Sequence, residues 1–194
     1  MILDDFLEED VVYEVLLCSH DLNDNNHVRP VGMRFDGEFL VFSLFNSRTL
    51  ANIVDNPHFS VFFTGDSLLY VLALLGSLEC DDYFWNNVSH VFSCDVLSFD
   101  EKNIDDSYGT NTTTRIIAKV VNIKEINPTP HVINRATNNI IEVLVDFSRF
   151  DLMNVYEKNN FYKKLEYCEK IVNKTGNKKH KKAIQLIKKE IKEK

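Results

Sequence analysis

Ser47, Arg48 and Thr49 stand together at the junction of two apolar segments with different periods. Before them, Glu38–Phe45 (EFLVFSLF) alternates as a strand does. After them, Leu50, Ile53 and Val54 follow helical spacing. A helix that starts here points its unsatisfied backbone N–H groups, and the positive end of its dipole, at the turn. Two hydroxyls and a guanidinium fork at the same point suit an anion, above all a phosphate. The same residues also suit a plainer role, with Ser47 as N-cap and Arg48 in water, since Ser and Thr are favoured N-caps.

The neighbouring segments extend the first reading. In Arg29-Pro30-Val31-Gly32-Met33, proline removes a ladder donor and belongs on an edge or bulge, while Gly32 lets another group approach the backbone closely. Thr64-Gly65-Asp66 ends a later strand with polar groups. A flat aromatic ligand with a phosphate tail fits this set, its ring against Gly32 and its phosphate on Ser47–Thr49. An isoalloxazine answers that description, and so do other nucleotides. In Asn134-Arg135 the arginine either reaches such a ring, where negative charge develops on reduction, or pairs with Glu142 or a neighbouring acidic residue. His20 and His27 are either proton donors near a substrate or ordinary loop histidines. Tyr83, Phe84 and Trp85 either cover a ring or anchor a core.

These residues need elements to hold them. Val11–Ser19 is β-rich and runs into the turn cluster Asp21–Asn26. Asp36-Gly37 between apolar runs predicts a type I′ hairpin turn with positive φ at both positions. Asn56-Pro57 stops the helix after Thr49, and His58–Gly65 is a further strand. Asp66 caps and Gly76 closes Leu68–Leu75, which periodicity leaves between strand and helix and which is taken as helix. Glu79–Asn87 is expected as a loop. His90–Asp100 and Thr112–Ile126 are expected as strands separated by a polar loop. After Pro128 and Pro130, three helices are predicted: His131–Phe150, Phe161–Val172 and Lys179–Glu193, with Gly176-Asn177 between the last two. Strands followed by helices indicate an α+β fold, with a mostly antiparallel sheet closing as a small barrel.

Composition narrows the class. The chain of 194 residues suits one domain, or one with an appendage, and is rich in phenylalanine, with 14. Its acidic start is unlike a secretory signal, and its longest apolar run is about half a membrane span. The four cysteines form no C-x-x-C pair, and no histidine spacing suggests a metal site. A soluble cytoplasmic protein without metal or membrane partner is expected. Lys174–Lys194 carries a net +7, leaving −14 for the rest of a chain at −7. That tail reads as a solvated terminal helix with Ala183, Leu186, Ile187 and Ile191 as its apolar stripe, in preference to a nucleic-acid contact.

The succession RPVGMRF, FLVFSLFNSRTLANI and FSVFFTGDSLLYVLALL, followed later by NRATNNIIEVLVDFSRF, resembles an archaeal family of flavin-binding proteins related to the flavin reductase-like split barrels. The likeness covers about Tyr13–Leu75 and Pro130–Phe150. It implies a Greek-key split barrel over residues 1–128, a helical extension over 129–194, and FMN bound near a homodimer interface. It places Ser47, Thr49 and Asn52 on the phosphate or ribityl chain, and Pro30 and Gly32 on the ring. Arg48, Met33, Thr64, Asp66 and Arg135 complete the expected site. Asn46 stands where the family has glycine, and Val31 and Met33 flank Gly32 where Pro-Met-Gly is usual. The implied activity is that of a flavin-dependent oxidoreductase or flavin reductase served by a nicotinamide or deazaflavin donor. A non-catalytic flavin carrier shares the same site. No G-x-G-x-x-G supplies a second nucleotide domain. A nucleic-acid-binding barrel is disfavoured by the acidity of the remainder.

Overall fold

Alternation and turn chemistry combine into a closed antiparallel barrel. The computed structural model describes residue 7 and residues 12–106, 109–127 and 135–193. The expectations at Val11, Pro128, Pro130, His131, Ile133 and Asn134 lie outside the described residues. Six strands, β1 (Val12–His20), β2 (Asn26–Phe35), β3 (Leu40–Phe45), β4 (His58–Thr64), β5 (Val88–Asp106) and β6 (Gly109–Glu125), close in the order β1-β2-β3-β6-β5-β4. Every pairing is antiparallel. Successive side chains alternate across a strand, so one parity from each strand fills the interior. Val15 and Leu17, Val31, Met33 and Phe35, and Leu40, Phe42 and Leu44 form that core with Phe59, Val61 and Phe63 and with Phe92, Cys94, Ile116 and Ala118. Helix α1 (Arg48–Asp55) adds Ile53 to it.

The described residues fall into two units, one within positions 1–64 and 79–129 and the other within 65–78 and 130–194. The first holds the barrel, α1 and α3 (Asp82–Asn87). The second takes α2 (Ser67–Leu75) from the middle of the sequence and adds α4 (Arg135–Phe147), a 3-10 turn (Phe150–Leu152), α5 (Val155–Thr175) and α6 (Lys178–Glu193).

Local signals account for the helix ends. Asp66 caps α2 by accepting the Leu68 N–H at 2.9 Å, and Gly76 closes it at φ 72°. Asn154 and Glu157 form a reciprocal capping box on α5. Asn177 accepts the Lys179 N–H at 2.9 Å to start α6. Gly176 between them is needed for close approach, its φ being −101°. A Cβ there would lie 2.8 Å from His180 Cβ and from the Val172 carbonyl, and 3.1 Å from Ala136 Cβ. Helix α6 buries Ala183, Ile184 and Ile187, so Ile184 replaces the expected Leu186 and Ile191 at the centre of its stripe.

Three expectations are corrected. The Asp36-Gly37 turn spans four residues between Phe35 and Leu40, and only Gly37 has positive φ (94°). Asp36 instead uses its carboxylate to accept the Glu38 and Phe39 N–H groups, at 3.2 and 2.7 Å, which stabilises a longer turn. Part of the expected loop Glu79–Asn87 is α3, capped by Asp81 and anchored by Phe84, which is fully buried and meets Phe62 edge-on at 5.0 Å. The polar loop expected before Thr112 is largely strand. The β5–β6 ladder continues to the Asp106–Gly109 pair, with Thr112 donating to Asn103 Oδ1 at 3.0 Å across it.

Candidate functional site

The barrel interior changes character at the end where β3 runs into α1. The parity that buries Val15 and Leu17 on β1 brings Ser19 next, and the parity of Val31 and Met33 on β2 brings Arg29 and His27. The continuous β1–β2 register pairs Leu17 with Arg29 and Ser19 with His27. On β6, Thr114 follows Ile116 and is buried opposite Leu44. An apolar core thus gives way to a hydroxyl, an imidazole and a guanidinium on the inward face.

Helix α1 is fixed over this end. Asn52, buried, donates from Nδ2 to Ser19 Oγ at 3.2 Å, and Ser19 donates onward to the His27 carbonyl at 3.4 Å. That chain ties α1, β1 and β2 together. Thr113 donates to the Leu44 carbonyl at 3.2 Å and secures the end of β3. Ser47 is the N-cap, its Oγ accepting the Leu50 N–H at 3.3 Å. Accepting that bond leaves the hydroxyl proton to donate elsewhere. Thr49, the second residue of the helix, is buried within the first turn, and that turn carries no acidic residue.

Arg48 does not simply face water. Its Nη2 lies 3.3 Å from Asp21 Oδ2 in the β1–β2 turn. Asp21 is already spoken for: its carboxylate accepts the Asn23 and Asn25 N–H groups, each at 2.9 Å, and the Asn25 side chain. The bonds from Asn25, with smaller help from Arg48, hold the Asp21 carboxyl below the usual range. Burial, then the charges of Arg29 and Arg48, push the His27 imidazole from 6.5 to about 4. Burial and the neighbouring Arg48 also lower Arg29. Two guanidiniums acting on one imidazole define a cationic site, and a bound anion would relieve all three groups.

The ten residues expected from sequence separate. Ser47, Arg48, Thr49 and Asn52 come together on α1. Pro30 and Gly32 lie on the β2 face opposite Arg29, while Met33 puts its side chain into the core. Pro30 occupies a sound place, because β2 pairs with β3 only over Met33–Phe35 and needs no N–H on that side at Pro30. Thr64 ends β4 at an irregularity and donates to the Asn87 carbonyl at 2.7 Å. Asp66 and Arg135 belong to the second unit, where Asp66 also meets Lys179 at 3.5 Å. Arg135 opens α4 and is exposed. Glu142, one of the alternatives for its partner, lies 3.6 Å from Lys164. Trp85 is partly exposed at 40%, against Phe62 and Phe84, with ring centroids 6.0 and 5.0 Å away. Sequence reasoning did not place Ser19, Asp21 or Arg29 in the site and left His27 open. The available signal was the alternation of Val31, Met33 and Phe35, which extends back to Arg29 and His27.

Among the described residues no group of three or more His, Cys, Asp or Glu is arranged to hold a metal, and no helix is long and apolar enough to cross a membrane.

A closed six-stranded antiparallel barrel with a cationic end beneath α1, together with a unit of helices, defines an α+β barrel protein. The chain belongs to the DUF447 family: residues 13–127 match its N-terminal domain, described as a protein of unknown function (DUF447), and residues 134–189 match its C-terminal part. In fold it is similar to an FMN-bound protein of the same family from Methanosarcina mazei, with a TM-score of 0.75 at 18% identity over 97% of this chain and 99% of that one. The flavin reductase of styrene monooxygenase from Pseudomonas putida matches with a TM-score of 0.44 at 17% identity, over 61% of this chain and 82% of that one.

Proposed function

We propose that the protein binds FMN, with the phosphate at the start of α1 and the ring along β2. The observation that carries this reading is the convergence of Arg29, His27 and Arg48 with the capped, carboxylate-free first turn of α1. A phosphate monoester dianion matches that donor set: Ser47 and Thr49 offer hydroxyls, the first turn offers N–H groups, and Arg48 offers a fork. Arg29 adds charge from the barrel side. Asn52 positions the helix through Ser19 and would be the residue to hold a ribityl hydroxyl. Pro30 and Gly32 present a strand face with little side-chain bulk. Within the barrel unit, Thr64 is a candidate for the ring end. The similar fold of the FMN-bound protein from Methanosarcina mazei supports the reading.

FMN, when bound, supplies one- and two-electron chemistry, so the protein's own task is to bind, orient and shield. We further propose a homodimer, in which pairing covers exposed apolar positions such as Phe45, Leu97, Phe99 and Val121 on β3, β5 and β6. An oxidoreductase served by a nicotinamide or deazaflavin donor is the favoured activity, and a flavin carrier is the alternative.

Equilibrium titration with FMN and with riboflavin tests the site. FMN is expected to bind at least about 10-fold more tightly than riboflavin, because a charge-assisted phosphate contact contributes more than 1.4 kcal/mol. Arg48→Ala with Thr49→Ala should erase that difference. Equal binding of the two flavins by the unaltered protein would remove the phosphate assignment. Flavin reduction by NADH, NADPH or a reduced deazaflavin no faster than for free FMN would leave the carrier. Light scattering after gel filtration reads the dimer, and a monomer would contradict it.

A further inference from the structure

The second unit carries a charged surface that flavin binding does not use. On α6, Lys178, Lys181, Lys182, Lys189 and Lys192 fall within an arc of about 100° at 3.6 residues per turn, and the row is about 21 Å long. Its opposite side, Ala183, Ile184 and Ile187, is buried, so the helix has one fixed orientation. Beside it on α5, Tyr156, Lys163, Tyr167, Lys170 and Lys174 occupy an arc of about 60°. Tyr156 is 74% and Tyr167 57% exposed. The two helices are clamped side by side by Lys188 and Glu169 at 2.6 Å. Carboxylates on this pair are largely committed: Glu157 to the α5 cap, Glu169 to Lys188, and Glu166 to Lys170 at 2.7 Å.

We propose that the α5–α6 face docks single-stranded nucleic acid. Residues 155–194 hold 13 Lys and 5 Glu, a net +8, which leaves −15 on the rest of the chain. A polyanion is therefore attracted to this face and repelled by the remainder. Lysines one helical turn apart suit a phosphate backbone, and exposed tyrosines interleaved with them supply platforms for unpaired bases of any sequence. The tyrosines share the side of α5 that carries Lys163, Lys170 and Lys174, and the Glu169–Lys188 contact holds that helix against the one bearing the longer lysine row. A lipid surface fits less well, because the apolar side of α6 is already buried and cannot insert.

Fluorescence anisotropy with a labelled oligothymidylate of about 20 nucleotides tests this on the whole protein. Binding should weaken with salt, log K against log salt having a slope of about −0.7 per phosphate neutralised. Lys181→Gln, Lys182→Gln and Lys189→Gln together should flatten that slope by about 2. Tyr156→Ala with Tyr167→Ala should weaken binding about 10-fold and leave the slope alone. All five positions are exposed, so circular dichroism should be unchanged. Three outcomes overturn the proposal: no binding at low salt, a slope that ignores the lysine changes, or tyrosine variants that bind as tightly as the parent. Anionic phosphatidylserine vesicles serve as the competing probe. Vesicle binding that matches the oligonucleotide and persists in the tyrosine variants would assign the face to lipid instead. None of these readouts depends on flavin.

Discussion

Protonation of His27 gives the sharpest test of the cationic site. Burial and the charges of Arg29 and Arg48 hold its imidazole at about 4 rather than 6.5. As pH falls below 6.5 the unfolded chain takes up a proton that the folded chain refuses. The stability contribution is therefore complete above about pH 6.5 and lost progressively between there and about 4. A full shift of this size corresponds to about 3 kcal/mol. The ring is only partly buried, and solvent screening reduces the expected effect to about 1 kcal/mol. Urea unfolding at pH 7.5 and pH 4.5 should show His27→Gln losing about 1 kcal/mol less than the parent across that interval. Arg29→Gln should recover part of the difference by removing one repelling charge. A bound phosphate should raise the imidazole value, so calorimetry in buffers of different ionisation enthalpy should detect proton uptake that His27→Gln lacks. If parent and variant lose stability in parallel, the imidazole does not sense the two guanidiniums and the cluster is wrongly drawn.

Other perturbations separate the parts of the site from the scaffold. Ser47→Ala removes the α1 cap and should cost about 1 kcal/mol in chemical denaturation, with Ser47→Asp restoring stability but not FMN affinity. Asn52→Ala removes the donor to the buried Ser19 hydroxyl, which keeps only its bond to the His27 carbonyl, and should destabilise the barrel by about 1 kcal/mol, again by denaturant midpoint. Gly176→Ala forces a Cβ to 2.8 Å from His180 and the Val172 carbonyl. It should lower the stability of the helical unit by about 1–3 kcal/mol while FMN affinity stays as in the parent, measured by thermal unfolding and flavin titration.

Much of the molecule is legible one segment at a time. Ser47 caps α1, Asp66 and Gly76 bound α2, Gly176 and Asn177 divide α5 from α6, and each does so through hydrogen bonds or close contacts within a few residues. Alternation in β1 to β4 likewise states which side chains face inward before any partner strand is known. The anion site was legible to the same extent, through the hydroxyls and guanidinium at the start of α1. Barrel closure decided the rest. His27 and Arg29 join Arg48 only because the β1–β2 register carries the inward parity past Pro30 to the end that α1 covers. Pro30 itself is tolerated because β3 pairing stops at Met33, a fact about a neighbouring strand. The polar stretch before Thr112 became strand because two long partners extend one ladder, and the lysine rows of α5 and α6 joined one helix pair because Glu169 and Lys188 meet across it. Capping, turn and period signals act over one or two turns of chain and survive in sequence. Register, closure and shared charge arise between segments far apart in the chain, so tertiary packing alone supplies them.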